Sequence, residues 1–248
     1  MNDNLNDLGR RIVRGDYAVG TLLPTEAELC RIYSVGRNSA REMIKTLSGK
    51  HLVRTVHGTG SLVLPREEWS LLDPLVLKWR FDDSREESAL TEELTHLRLV
   101  LEPAISAAAA ERASTTQILR VFEAHEAMDR AMNDREAAIL ADQTFHSRVF
   151  EAADNPMLIS IARPLGMLIT KRFERMTDFN GENSIYRITL PYHLNVAEAI
   201  HARDPVAAHT ATVELLQLSS RELILAAAAD APTAIEEDQA SSARTLPV

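Results

Sequence analysis

"LPTEAELCRIYSVGRNSAREMIKTLSGKHLVRTVHGTGSLV", residues 23–63, contains two short amphipathic helices, a turn and a glycine-tipped hairpin in close succession. Thr25, followed three residues later by Glu28, forms a capping box that predicts the start of the first helix. The predicted apolar face of this helix consists of Leu29, Ile32 and Tyr33. A turn at 34–37 leads into a second helix over about 38–47, whose inward positions are Ala40, Met43, Ile44 and Leu47.

The flanking segments complete a recognisable order of elements. "LVRTVHGTGSLVL", residues 52–64, alternates in polarity and turns at 58–60, which predicts a two-stranded hairpin. An amphipathic helix over 5–14, stopped by Gly15, precedes the quoted stretch. Helix, helix, turn, helix and hairpin form a winged helix-turn-helix. We therefore predict a DNA-binding domain over residues 1–66.

The second helix of such a domain enters the major groove of DNA with its N-terminal part. Arg37 and Arg41 lie one turn apart at this end, and an arginine that bonds guanine O6 and N7 contributes ~1–3 kcal/mol of base discrimination. The hairpin tip lets the backbone approach DNA closely through Gly58. Alternatively, the arginines form a solvated helix face and His57 is an ordinary tip residue. The predicted DNA-binding residues are Arg37, Asn38, Ser39, Arg41, His57, Gly58 and Thr59.

Charge is distributed unevenly along the chain. Residues 1–66 hold ten Lys and Arg against six Asp and Glu, a surplus of four positive charges, so the net charge of −9 leaves −13 for the remainder. A basic head on an acidic body indicates that only the head meets a polyanion. The alternative is that surface charge is merely uneven.

The rest of the chain predicts a connector and an all-α body. Residues 67–86 form a linker with its own apolar anchors, Trp69, Leu71, Leu72, Leu75, Leu77 and Trp79. Helical periodicity recurs over 87–112, 115–133, 135–153, 156–176, 186–202 and 205–228. We predict a mainly α protein in which 87–228 form a helical bundle. The polar residues 229–248 are expected to be a disordered tail.

Composition excludes several classes of protein. The single cysteine, Cys30, rules out an internal disulfide, whereas a disulfide between two chains remains open. No N-terminal stretch has the pattern of a secretory signal, and no apolar run approaches the roughly 20 residues that span a bilayer. We therefore expect a cytoplasmic protein that does not enter the membrane.

"ADQTFHSRVF", residues 141–150, places Asp142 four residues before His146. Residues i and i+4 lie ~5–6 Å apart on one face of a helix, so this pair could hold one ion. Two other interpretations remain open. The pair could contact a sugar-like ligand directly, or it could be a surface salt bridge.

The head resembles the DNA-binding domain of the GntR family of bacterial transcription regulators. The resemblance rests on Pro24, Glu26 and Leu29, on the Val35-x-Arg37 turn, on Arg41 and Leu47, and on the Gly-x-Gly wing, over about residues 8–64. It implies that Arg37, Arg41, His57 and Gly58 meet DNA. At one position the chain departs from the family, because Ala27 stands where some members have a further DNA-contacting arginine.

The body resembles the FCD ligand-sensing domain of the fatty-acid-regulator-like branch of that family, through "LRLVLEPAISAAAAERAS", "ADQTFHSRVFEAADNP" and "YHLNVAEAIHARDPVAA". This resemblance implies that Asp142, His146 and His193 hold a divalent metal of the Zn, Ni or Mn type. The position of the family's last histidine ligand is Leu215, so at most three protein ligands are expected. His209, six residues earlier, would point about 120° away from the required face.

The resemblance also implies a pocket for a small organic acid. Arg98 is the leading residue, because a guanidinium matches a carboxylate through two hydrogen bonds; alternatively, it pairs with Glu102 one turn further on. The predicted effector-binding residues are Arg98, Glu102, Asn155, Arg172 and Arg221. Within the family, the "EAELC" motif at 26–30, the Trp-containing connector and the missing last histidine are similar to a group that responds to a sugar acid.

The sequence is compatible with three functions. The first is a repressor that binds a palindromic double-stranded operator as a homodimer and is released by its effector. The second is a metal-dependent hydrolase fused to a DNA-binding head, in which the metal activates water. No well-placed general base stands out for such an enzyme, since neither Glu151 nor Glu198 has a recognisable catalytic spacing. The third is a protein that only dimerises through its bundle.

Overall fold

The computed structural model describes residues 2–166 and 184–229 of the chain, with a mainly α architecture and one small sheet. The described elements are α1 (Asn2–Val13), α2 (Glu26–Tyr33), α3 (Arg37–Gly49), β1 (Val53–Val56), β2 (Gly60–Val63), α4 (Pro74–Phe81), α5 (Ser84–Arg112), α6 (Thr115–Arg130), α7 (Arg135–Ala152), α8 (Pro156–Ala162), α9 (Ile185–His201) and α10 (Pro205–Ala229). This order confirms the predicted fold class, a winged helix-turn-helix followed by helices.

Local capping chemistry starts the helix-turn-helix where the sequence predicts it. The Glu28 amide donates to the Thr25 hydroxyl at 3.3 Å, and the Thr25 amide donates to the Glu28 carboxylate at 2.8 Å. These two bonds form the capping box at the start of α2. Ser34 ends the helix in the left-handed region, with φ of 53°, and its amide donates to the Cys30 carbonyl. The chain can therefore turn sharply into α3.

The core of the head contains most of the residues that periodicity assigned to it. All four predicted inward positions of α3 are buried, and Leu29 of α2 is fully buried. The prediction for Ile32 was wrong, since its side chain is 50% exposed. Cys30 and Tyr33 pack against the core with Leu29 instead. At about 100° per residue, these three span one side of a short helix and Ile32 lies beyond its edge.

The hairpin forms the predicted wing, with one additional contact. Strands β1 and β2 pair antiparallel, with Val53 opposite Val63 and Val56 opposite Gly60. Leu22, which lies between α1 and α2, makes an isolated antiparallel bridge with Leu62. A single bridged residue leaves no alternating pattern, so periodicity could not have revealed it.

The segment predicted as a linker contains α4, which packs against α1. Trp79 of α4 is fully buried, and its indole donates to the Asn6 side chain at 2.9 Å. A Cβ atom added at Gly9 of α1 would lie 2.5 Å from the Trp79 ring, so only glycine permits this approach. Trp69 and Leu77 are also buried, whereas Leu71 and Leu72 are each 36% exposed. Two of the six predicted anchors are therefore at the surface.

The helices of the body begin and end close to their predicted bounds. The largest difference is the helix predicted over 156–176: α8 ends at 162, a 3-10 turn follows at 163–165, and residues 167–183 lie outside the described part. The predicted tail, apart from Ala229, also lies outside it. The described residues divide into two compact units, one with residues 2–101 and 155–166, the other with residues 102–154 and 184–229.

Candidate functional site

The N-terminal end of α3 presents the predicted DNA-reading side chains to solvent. Arg37 is the first residue of the helix, after Gly36, and Arg37, Asn38 and Arg41 are exposed while Ser39 is half-buried. The first turn contains no acidic residue. A helix N-terminus with open amides and two arginines attracts a phosphate or a base edge.

The wing tip is exposed as well. The Thr59 amide donates to the Val56 carbonyl at 3.0 Å and closes the turn. Gly58 has a φ of +72° and Gly60 a φ of +131°, conformations that favour glycine. His57, Gly58 and Thr59 are all solvent-accessible. The predicted tip residues are thus in a position to contact a ligand of the head.

Arg41 has a partner that the sequence did not reveal. Its Nε donates to Glu26 Oε1 at 3.3 Å and its Nη2 donates to Glu26 Oε2 at 3.4 Å. Glu26 is the first residue of α2, so this contact joins the two helices of the helix-turn-helix. Spacing along the chain does not predict it, because the two residues meet only after α2 and α3 have packed together.

The body contains a buried cluster of candidate metal ligands. Asp142 and His146 lie one turn apart on α7, and His193 comes from α9. One ligand atom from each lies within 4.8 Å of the other two. Asp142 and His193 are fully buried and His146 is 6% exposed, which rules out the surface salt bridge as the role of the Asp142–His146 pair.

Both histidine rings have an oxygen atom close to Nδ1. Nδ1 of His193 donates to the Thr189 carbonyl at 2.8 Å, and Nδ1 of His146 lies 3.1 Å from the Glu102 carboxylate. Each Nε2 atom therefore faces Asp142, at 3.7 Å from Oδ2 for His146 and 3.6 Å from Oδ1 for His193. Metal-binding histidines are commonly fixed in this way, with the second nitrogen on a carboxylate or carbonyl.

These distances fit a divalent ion. Zinc lies ~2.0–2.2 Å from imidazole nitrogen and carboxylate oxygen, so two ligands of a tetrahedral ion are roughly 3.4 Å apart. The nitrogen–oxygen separations of 3.6 and 3.7 Å are close to that value. Phe145 packs edge-on against His193, with ring centroids 5.0 Å apart, and adds an apolar wall. The residues present can hold a metal without a large rearrangement.

Leu215 faces the same region as the cluster. It is 2% exposed and lines a cavity of about 10 Å³ together with His146, Glu102, Ser106 and Thr212. The Thr212 hydroxyl lies 2.8 Å from the Ser106 hydroxyl, so two polar groups also border this cavity. A cavity of this size has room for about one water molecule. His209, by contrast, is exposed, in agreement with the predicted angle.

The predicted effector-binding residues differ from one another in burial and in their contacts. Arg98 is 4% exposed on α5 in the first compact unit, whereas Glu102 belongs to the second. The Asn155 side chain accepts hydrogen bonds from the amides of Met157 and Leu158, at 3.0 and 3.4 Å, at the start of α8. Arg172 lies outside the described residues, as does the side chain of Arg221. An effector role for these residues remains a prediction.

Comparisons with known proteins agree with this architecture. The model of the bacterial regulatory proteins of the gntR family matches residues 6–63, and that of the FCD domain matches residues 93–218. The galactonate operon transcriptional repressor of Escherichia coli (strain K12) is 33% identical over 87% of this chain and 93% of its own length. The chain belongs to the GntR family of bacterial regulatory proteins.

More distant relatives extend the comparison. The HTH-type transcriptional repressor NanR of Enterobacter sp. (strain 638) is 29% identical over 80% of this chain and 75% of its own length. A solved structure of Streptococcus agalactiae GntR has the same fold, with a TM-score of 0.51 and 24% identity over 89% of this chain and 98% of that one.

Membership of this family distinguishes between a transcription regulator and a metal-dependent hydrolase. This GntR protein is a DNA-binding transcription regulator with an FCD domain, and its relatives are regulators rather than enzymes. The alternative of a metal-dependent hydrolase has no support from them. None of the helices in the described ranges is long and apolar enough to cross a membrane.

Proposed function

We propose that this GntR protein is a ligand-responsive repressor. It binds a palindromic operator as a homodimer and is released when a small organic acid binds the FCD domain. The names of two relatives, a galactonate operon repressor and a NanR repressor, support the repressor assignment. The observation that carries the proposal is the buried Asp142–His146–His193 cluster, whose histidines both have an oxygen atom close to Nδ1.

A divalent ion at this cluster is part of the proposed site. Bound there, it would supply a positive charge that attracts the carboxylate of an effector. The three ligands would come from the chain, and Glu102 and the Thr189 carbonyl would fix the orientation of the His146 and His193 rings. Because Leu215 occupies the position of a fourth ligand, a coordination position is left for water or for the effector itself.

The small cavity suggests how binding could be linked to a conformational change. A volume of about 10 Å³ holds one water molecule and no organic acid. An organic acid that entered this cavity would have to displace the side chains that line it, Leu215 among them. A ligand that binds only the opened arrangement shifts the equilibrium towards it, and a coupling of ~1–3 kcal/mol is typical of such regulators.

The first experiment is a thermal-shift screen of the full chain against sugar acids, with galactonate included because of the relative's name, and against other small carboxylates. Each compound is tested with added Zn²⁺ or Ni²⁺ and with EDTA. We expect a sugar acid to raise the melting temperature of the wild type, and EDTA to remove the shift. The shift should be absent in His146→Ala.

His209→Ala is the matched control, because His209 is an exposed histidine of the same unit. It should respond like the wild type. An acid that stabilises the wild type and His146→Ala equally would contradict the assignment of the site. An acid that binds equally well in EDTA would contradict the role of the metal. Fluorescence anisotropy of a labelled operator, with and without the acid, then tests release from DNA.

A further inference from the structure

We propose that Glu26 is a positioning residue for DNA recognition. It holds the Arg41 guanidinium by one edge, so that the other edge is presented to the DNA. The inference rests on the proposed contact of Arg41 with DNA, and it assigns a function to an acidic residue that pairs with an arginine of α3. An acidic side chain near DNA repels phosphates unless its charge is paired.

The geometry of the pair uses one side of the guanidinium. Glu26 accepts from Nε at 3.3 Å and from Nη2 at 3.4 Å, one carboxylate oxygen for each nitrogen. A guanidinium has five N–H donors in a rigid plane. The two donors of Nη1 and the second donor of Nη2 remain on the opposite edge. That edge can form the paired hydrogen bonds to guanine O6 and N7 while Glu26 stays in place.

The backbone of Glu26 is anchored, so its carboxylate is a fixed point. Glu26 follows Thr25, whose capping box closes the first turn of α2. Leu29 of α2 and Ala40 of α3 are both fully buried between these helices and the rest of the core. An arginine side chain that Glu26 already holds in one orientation loses less conformational entropy on binding DNA than a freely rotating one.

A simpler interpretation makes a different prediction. The side chains of Arg41 and Glu26 are 67% and 42% exposed, and an exposed ion pair of this kind contributes little to stability. If Glu26 were only a surface charge, its neutralisation would strengthen binding to every DNA sequence by reducing repulsion. If it positions Arg41, its neutralisation weakens binding to the preferred sequence alone.

The test uses the full chain and a duplex that the wild type selects from a randomised pool. Dissociation constants are measured for this duplex and for a scrambled duplex of the same composition, at the same salt concentration. We expect Glu26→Gln to reduce the ratio of the two affinities by roughly 5- to 50-fold, in the range of one bidentate base contact. Glu26→Asp retains the charge but shortens the reach, and should reduce the ratio similarly.

Glu42→Gln is the matched control. Glu42 is an exposed residue of α3 that pairs with Lys45 at 3.6 Å, so the change removes the same charge from the head without touching Arg41. It should strengthen binding to both duplexes equally. The positioning role is overturned if Glu26→Gln behaves like Glu42→Gln, or if Glu26→Asp keeps the wild-type ratio.

Arg41→Ala separates this inference from the proposed function. Arg41→Ala alone should reduce the ratio of the affinities for the selected and the scrambled duplex. Adding Glu26→Gln to Arg41→Ala should then have no further effect on this ratio. An unchanged ratio in Arg41→Ala would contradict the contact of Arg41 with DNA and the role of Glu26 with it. A reduced ratio in Arg41→Ala together with an unchanged ratio in Glu26→Gln would contradict the role of Glu26 alone.

Discussion

At the scale of the residue, Leu215 is where this chain departs most clearly from the metal-binding pattern that its family resemblance implied. Its side chain is buried beside His146 and borders a cavity of water size. A leucine cannot donate an electron pair to a metal, so the cluster found among the described residues offers three candidate ligands. A substitution at this position would therefore add a fourth candidate ligand to the proposed site.

We expect Leu215→His to tighten binding of Zn²⁺ by roughly tenfold or more, which corresponds to about 1.4 kcal/mol. The added imidazole would lie beside His146, which lines the same cavity, and would offer a fourth ligand to the proposed ion. Isothermal titration with a competing chelator measures the affinity. Glu214→Gln, an exposed change on the same helix, should leave it unaltered. Equal affinities in Leu215→His and the wild type would show that position 215 does not reach the ion.

At the scale of the element, the packing of α1 on α4 depends on a missing side chain. Gly9 would ordinarily weaken a helix, because glycine has a lower helix propensity than alanine by about 1 kcal/mol. Here it lets the Trp79 ring lie where a Cβ atom would be. The tertiary contact thus outweighs the local preference.

Gly9→Ala is therefore expected to destabilise the head by ~1–3 kcal/mol, the usual cost of overpacking, although alanine is the better helix former. The chain has two tryptophans, Trp69 and Trp79, and both lie in the first compact unit. Urea unfolding followed by tryptophan fluorescence reports on that unit. Gly49→Ala is the control, since nothing lies within 4 Å of a Cβ at Gly49. A stabilised Gly9→Ala protein would contradict the contact with Trp79.

The capping box of α2 predicts a dependence on pH. Hydrogen bonds from Thr25 hold the pKa of Glu28 below its ordinary value of 4.5. A carboxylate with a lowered pKa in the folded state stabilises the protein above 4.5, and this contribution is lost as the pH falls through the folded pKa. The difference in unfolding midpoint between the wild type and Glu28→Gln should therefore shrink below pH 4.5. A difference that stays constant down to pH 3 would exclude this role for the charge of Glu28.

At the scale of the whole molecule, the uneven charge of the chain and its membership of the GntR family both bear on how it binds DNA. The first 66 residues have a surplus of four positive charges and the remainder a net charge of −13. Two basic heads related by a two-fold axis would match the two half-sites of a palindrome. The acidic remainder would stay away from the phosphates.

The proposed homodimer predicts a mass in solution of twice that of one chain. Light scattering coupled to size-exclusion chromatography measures this mass at micromolar protein. Binding to a full palindrome should exceed binding to a single half-site, because both heads then contribute. A mass of one chain, with equal affinity for the half-site and the full site, would contradict the dimer.

Several features of this protein could be predicted because their signals are local. The capping box at Thr25 and Glu28, the inward face of α3 and the glycine turn of the hairpin each depend on residues a few positions apart. The i,i+4 spacing likewise predicted that Asp142 and His146 share a face of α7. Family resemblance, and not periodicity, supplied His193 as the third member.

The sequence by itself determined the order of the elements, the head with its reading helix, and the type of residue available for a metal, because backbone hydrogen bonds and apolar periodicity are encoded over short stretches. Only the tertiary structure decided which distant residues meet. It brought Glu26 to Arg41, Glu102 to His146 and Trp79 to Gly9. Such contacts depend on how the faces of separate helices pack, and no short pattern in the chain records that packing.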